Sequence, residues 1–145
     1  MRLLVIAIGR AKEPELRAML EEYAKRIRRY ARFEEIEIED GPEEAVARKV
    51  KRHWSSWGYR VALEIDGRMM DSRAFAEFMM RLELGAKGAM FLIGGAYGLP
   101  RELAEAADLR LSLSPMTFPH RIARLLLYEQ IYRAFSMLRG EPYAH

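Results

Sequence analysis

The sequence contains no cysteine. Disulfides, thiolate metal sites and cysteine nucleophiles are therefore excluded. Its three histidines, His53, His120 and His145, lie far apart and lack metal-ligand spacing, so no metal is expected. No apolar run approaches the roughly 20 residues of a membrane-spanning helix, and no membrane partner is expected either. The apolar start, Met1 to Ile8, is too short and too soon followed by charge for a secretory signal. It reads as a first strand, and cytoplasmic residence is the expectation. Two catalytic motifs are also missing. Ser114 and Thr117 lie near His120, but there is no G-x-S-x-G elbow and no obvious acidic orienter, so a hydrolase triad is disfavoured. There is no GxxxxGK[ST] pattern, so a bound triphosphate is disfavoured. Internal repeats, linkers and low-complexity segments are absent.

What is present suits one globular domain over residues 1–145, long enough to bury a core. Half of the residues are hydrophobic and 31% are charged. Strand and helix patterns alternate. Leu3 to Ile8, Phe33 to Glu39, Tyr59 to Ile65, Ala89 to Ile93 and Leu109 to Leu113 read as strands. Between them, helices are predicted from Pro14 to about Tyr30, from Glu43 to about Trp54, from Ser72 until Gly85 and Gly88 end it, and from Arg101 to Ala107, and a last one runs from about His120 to Arg139. Ser72 is the expected cap of its helix. Asp66-Gly67 is read as the turn that closes the third strand. Glu35, Glu37 and Glu39 alternate with Ile36 and Ile38, which predicts one solvated side for the second strand. The alternation of elements predicts an α/β fold with a mostly parallel sheet covered by helices on both faces.

The organising stretch is Phe91-Leu92-Ile93-Gly94-Gly95-Ala96-Tyr97-Gly98-Leu99-Pro100. It reads as a buried strand, a glycine-rich loop and the start of a helix. Open α/β sheets bind nucleotides at such places, although a short glycine motif also fits a plain tight turn. A second loop, Ser114 to Pro119, follows the last strand. The two loops offer backbone N–H and carbonyl groups among small and apolar side chains. That suits an adenosine-like ligand.

The formal net charge is +3. Lys25, Arg26, Arg28, Arg29 and Arg32 form one basic cluster, and Arg48, Lys49, Lys51 and Arg52 another. Two readings stay open for them, solvated helix faces or an RNA-contacting surface. Leu125, Leu126, Leu127 and Tyr128 make the last helix apolar around much of its girth, which points to a second copy of the chain as partner.

The segment from Leu92 to Leu99, and the run from Leu111 to His120 followed by Arg124, Glu129, Gln130, Tyr132, Arg133 and Ala134, resemble the RlmH family of SPOUT-class methyltransferases. The resemblance extends from Ala7-Ile8-Gly9 through Leu63 to Gly67 and on to Pro142-Tyr143. It implies a SPOUT fold whose C-terminal segment forms a trefoil knot, a homodimer, and S-adenosylmethionine as cofactor. The implied reaction is methylation of N3 of a pseudouridine in helix 69 of 23S ribosomal RNA within the ribosome. Carried over by position, the resemblance puts cofactor contacts at Leu63, Gly94, Leu113, Ser114, Pro115, Met116, Thr117 and Phe118. N3 must lose a proton, and His120, Arg124, Tyr143 and His145 are the candidates to remove it or to stabilise the anion. The tail departs from the family's usual Pro-Tyr-His ending, because Ala144 stands where that histidine belongs and His145 follows it. Other readings are a SPOUT enzyme acting on another RNA such as transfer RNA, a non-catalytic RNA- or ribosome-binding module, and a small nucleotide-binding protein.

Overall fold

The computed structural model describes residues 1–54, 58–85 and 88–143. In chain order the elements are β1 (Arg2–Ile8), α1 (Pro14–Ile27), β2 (Arg32–Ile38), α2 (Glu43–Trp54), β3 (Tyr59–Met69), α3 (Ser72–Leu84), β4 (Ala89–Ile93), α4 (Arg101–Ala106), β5 (Leu109–Ser112) and α5 (His120–Leu138). The five strands form one sheet in the order β2-β1-β4-β3-β5, and every pairing is parallel.

Strands β1 and β4 are central, and their side chains alternate between two cores. Leu3, Val5, Phe91 and Ile93 pack with α1, α3 and α5 on one face. Leu4, Ile6, Ile8, Met90 and Leu92 pack with α2 and α4 on the other. Burial on both sides explains why these two strands read as unbroken apolar runs. All five carboxyl ends lie along the same edge of the sheet, and that edge carries the loops of interest.

Three expectations are corrected. Strand β3 does not end at Asp66-Gly67. Leu63 and Arg68 both face Leu111, so residues 64–67 loop out as a bulge and the strand resumes to Met69. Gly67 is required there, because a Cβ would sit 2.7 Å from the Arg110 carbonyl carbon. The cap of α3 is Asp71, whose extended backbone lets its carboxylate accept from the Ala74 N–H at 2.8 Å. Ser72 instead donates its hydroxyl to Gln130 of α5 at 2.8 Å. Strand β2 is only partly solvated on its glutamate side. Glu35 and Glu37 share the face of Phe33 and meet α5, and only Glu39 is exposed.

Ser136, deep in α5, is fully buried, and its hydroxyl has no hydrogen-bond partner among the described residues. An unsatisfied buried hydroxyl costs about 1–3 kcal/mol. Ser136→Ala is therefore expected to raise the unfolding free energy in urea by about 1 kcal/mol; a loss of stability would mean that the hydroxyl is satisfied.

Candidate active site

A cavity of about 670 Å³ opens at the carboxyl ends of β3, β4 and β5. That is the size of a small-molecule site. Four segments line it. Strand β3 and the bulge that follows Leu63 supply Leu63, Glu64 and Ile65, and the loop after β4 supplies Gly94, Gly95, Ala96 and Gly98. The loop after β5 contributes Leu113, Ser114, Met116, Thr117, Phe118 and Pro119, and the first turn of α5 contributes His120, Arg121 and Ala123. Of the positions that the family resemblance implies for the cofactor, all but the exposed Pro115 are in this lining.

Local chemistry shapes both loops. Gly98 has φ +81°, and its N–H donates to the Gly95 carbonyl at 3.1 Å, which closes a tight turn. A Cβ at Gly94 would lie 2.5 Å from the Gly98 carbonyl carbon, and one at Gly95 would strike the Asp40 carboxylate. In the second loop the Ser112 hydroxyl donates to the Ser114 carbonyl at 3.0 Å, and the Met116 N–H donates to the Ser114 hydroxyl at 3.0 Å. These bonds hold Ser114 to Met116 in a turn beside the cavity.

His120 begins α5 at the junction of the cavity with the β1–α1 loop. Gly9, at φ +97°, leaves room for its ring: a Cβ there would lie 2.9 Å from His120 Cε1. Burial and the neighbouring Arg121 push the imidazole below its usual range, against the opposing pull of Asp40 and Glu13. The unprotonated ring can accept a proton at neutral pH.

Arg124 lies one turn further along α5, is buried, and is not in the cavity lining. It donates to Glu37 at 2.6 Å, to Glu35 at 3.2 Å and to the Tyr128 hydroxyl at 3.1 Å. The Tyr128 hydroxyl donates to Glu35 at 2.8 Å. Glu37 also accepts from the Ala11 N–H at 3.2 Å. Burial pushes the Glu37 carboxyl up, but its hydrogen bonds from Arg124 and Ala11 outweigh that and hold it below the ordinary carboxylate range.

Tyr143 packs against Tyr132, 4.6 Å between ring centroids, and donates its hydroxyl to Glu129 at 2.8 Å. Burial and these contacts, including Tyr23, push the phenol well up. Tyr132 is twelve residues along α5 from His120, or about 18 Å at the helical rise. The structure thus brings His120 to the cavity and gathers Tyr143 with the far half of α5. His145 lies outside the described residues. Two charged cavity residues, Glu64 and Arg121, were not singled out in the sequence. Glu64 directly follows Leu63, but nothing local announces the bulge that brings it there.

In the first basic cluster, Arg26 pairs with Glu22, Arg28 with Glu21 and Glu35, Arg29 with Glu141 and Arg32 with Glu34. In the second, Lys51 pairs with Glu102. Among the described residues Lys25, Arg48, Lys49 and Arg52 form no ion pair.

A parallel sheet with a cavity built from the loops after its last strands agrees with the family comparison. The family model described as "Predicted SPOUT methyltransferase" matches residues 1–145, and the chain belongs to that family. Its relatives narrow the class. It is 53% identical over 146 residues to the ribosomal RNA large subunit methyltransferase H of Sorangium cellulosum, covering all of both chains. It is 39% identical over 157 residues to the protein of the same name from Clostridium kluyveri, covering 99% of each. Among solved structures, the TrmH/SpoU tRNA modifying enzyme of A. aeolicus shares the fold, with a TM-score of 0.53 at 14% identity over 95% of this chain and 77% of that one.

Removing Arg124 takes away the buried cation that Glu35 and Glu37 share and leaves them only the more exposed Arg28, Arg17 and Arg10. Arg124→Met is expected to lower the unfolding free energy at pH 7 by about 1.5–3 kcal/mol, the worth of its charged hydrogen bonds. Glu37 is depressed in the folded state, so its contribution is present above the unfolded carboxylate pKa and fades as pH falls through the folded value. Urea titrations at descending pH should therefore show the gap between parent and variant narrowing on the acid side. A gap that stays constant would mean that Arg124 does not stabilise ionised Glu37.

Proposed function

We propose that the chain is an S-adenosylmethionine-dependent methyltransferase of large-subunit ribosomal RNA. Its target in this reading is N3 of a pseudouridine in helix 69 of 23S RNA, within assembled ribosomes in the cytoplasm. The observation that carries the reading is the convergence of the β4 and β5 loops on one cavity. That cavity fits the donor: it is large enough for an adenosyl group, has apolar walls in Ile93, Leu111 and Phe118, and offers loop backbone for reading a base. It also carries one acidic and one basic side chain, Glu64 and Arg121, which suits a ligand with charges of both signs. Leu63, Gly94 and residues 113–118 are the donor-binding positions. Pro115 serves by shaping the loop.

The bound donor supplies a methyl group on a sulfonium. The chain's own task is to hold the target nitrogen in line and to handle its proton. His120, with its depressed pKa, accepts the N3 proton. Arg124 acts through position: by tying α5 to β2 it holds His120 over Gly9. Tyr143, packed back on the far half of α5, is too far from the cavity of its own chain to serve it. It fits a homodimer in which the tail and basic α1 end of one protomer complete the surface beside the other's cavity. The half-exposed Met19, Ile122 and Leu126 on α1 and α5 supply apolar area for that interface. The trefoil knot belongs to the same reading.

The test is methyl transfer from labelled S-adenosylmethionine to ribosomes lacking the modification, with naked 23S RNA and transfer RNA in parallel. Incorporation confined to ribosomes, at N3 of the helix 69 pseudouridine, is the expected result. Incorporation into transfer RNA alone would replace this target with another RNA. With ribosomes as substrate, the rate should rise with pH through an apparent pKa below 6.5, because protonated His120 cannot act as base. His120→Ala should lose that acid limb and about 100-fold in turnover.

A further inference from the structure

Resting on the methyltransferase reading, we propose that Glu64 is the anionic partner of the donor's sulfonium and makes the cavity discriminate S-adenosylmethionine from S-adenosylhomocysteine. Glu64 is the one carboxylate among the described residues lining the cavity, and it forms no hydrogen bond or ion pair among them. The cation whose charge acts on it, Arg110, is paired with Asp66 at 3.5 Å. The bulge at residues 64–67 is what brings this side chain to the site. Burial and Asp66 push its carboxyl up, with Arg110 opposing. A half-buried carboxylate left without a partner is costly, and a cationic ligand removes that cost.

The chemistry of the donor selects which cation. An α-ammonium can donate hydrogen bonds to the carbonyls that the two loops provide. A sulfonium has no hydrogen to donate, so only a nearby negative charge or dipole can stabilise it. The amino-acid carboxylate of the donor, in turn, has Arg121 in the same lining. Methyl transfer turns the sulfonium into a neutral thioether. The attraction to Glu64 then disappears, and the spent product is held more weakly than the donor.

Titration calorimetry on the full chain tests this, with S-adenosylmethionine, S-adenosylhomocysteine and sinefungin, which carries an ammonium in place of the sulfonium. Glu64→Gln keeps the shape and removes the charge. It should weaken S-adenosylmethionine and sinefungin about tenfold and leave S-adenosylhomocysteine unchanged. Glu64→Asp should retain part of the preference. Equal weakening of all three ligands would place the carboxylate on a group they share, such as the ribose hydroxyls, and would overturn the proposal. No change for any ligand would overturn it as well. If the parent chain binds none of the three, the methyltransferase reading itself falls.

Discussion

The candidate active-site edge of this molecule depends on a buried guanidinium. Arg124 reaches from the second turn of α5 to both Glu35 and Glu37 on the edge strand β2. Glu37 extends the link to the β1–α1 loop through the Ala11 N–H. One ionic cluster thereby fixes three things relative to one another: the start of the last helix, the sheet edge and the turn at Gly9. His120 sits one helical turn before Arg124 and over Gly9, so its place follows from the same contact. A hydrophobic residue at 124 could fill the volume. It could not satisfy two glutamates that the strand already commits to that face.

Much of the frame was legible because its physics is local. Ala89 to Ile93 is apolar at every position, and it forms the expected strand between two helical layers. Pro14 and the stripe from Leu16 to Ile27 define α1, although that helix stops at Ile27 because the chain tightens there, with Tyr30 N–H reaching back to the Ile27 carbonyl at 2.9 Å. The misreadings are tertiary. Alternating glutamates in β2 look like a wet strand until a buried arginine from residue 124 is placed opposite them. Asp66-Gly67 has the composition of a turn, but the strand continues beyond it once β5 offers a second set of partners. The same bulge places Glu64 in the cavity lining, through a register jump that no residue pattern encodes. Tyr143 likewise cannot be positioned from sequence, since its partners lie on α1 and on the far half of α5.

The cavity joins these layers. Glycines at 94, 95 and 98 let the β4 loop fold onto itself and against Asp40, and the Ser112–Ser114–Met116 bonds hold the β5 loop beside it. Among the described residues neither Ser114 nor Thr117 has its hydroxyl hydrogen-bonded to a base. The arrangement suits a site whose contribution is to hold a reactive small molecule and align a second substrate, with one base at the rim.

In the proposed function residues 63–65, 93–98 and 111–120 act together as one donor site. Amide hydrogen exchange with and without S-adenosylmethionine measures this directly. Slowed exchange in all three segments, with α2 and the basic end of α1 unchanged, is the predicted result. Protection confined to the β1–α1 loop and residues 39–40, with the β4 and β5 loops unaffected, would contradict it.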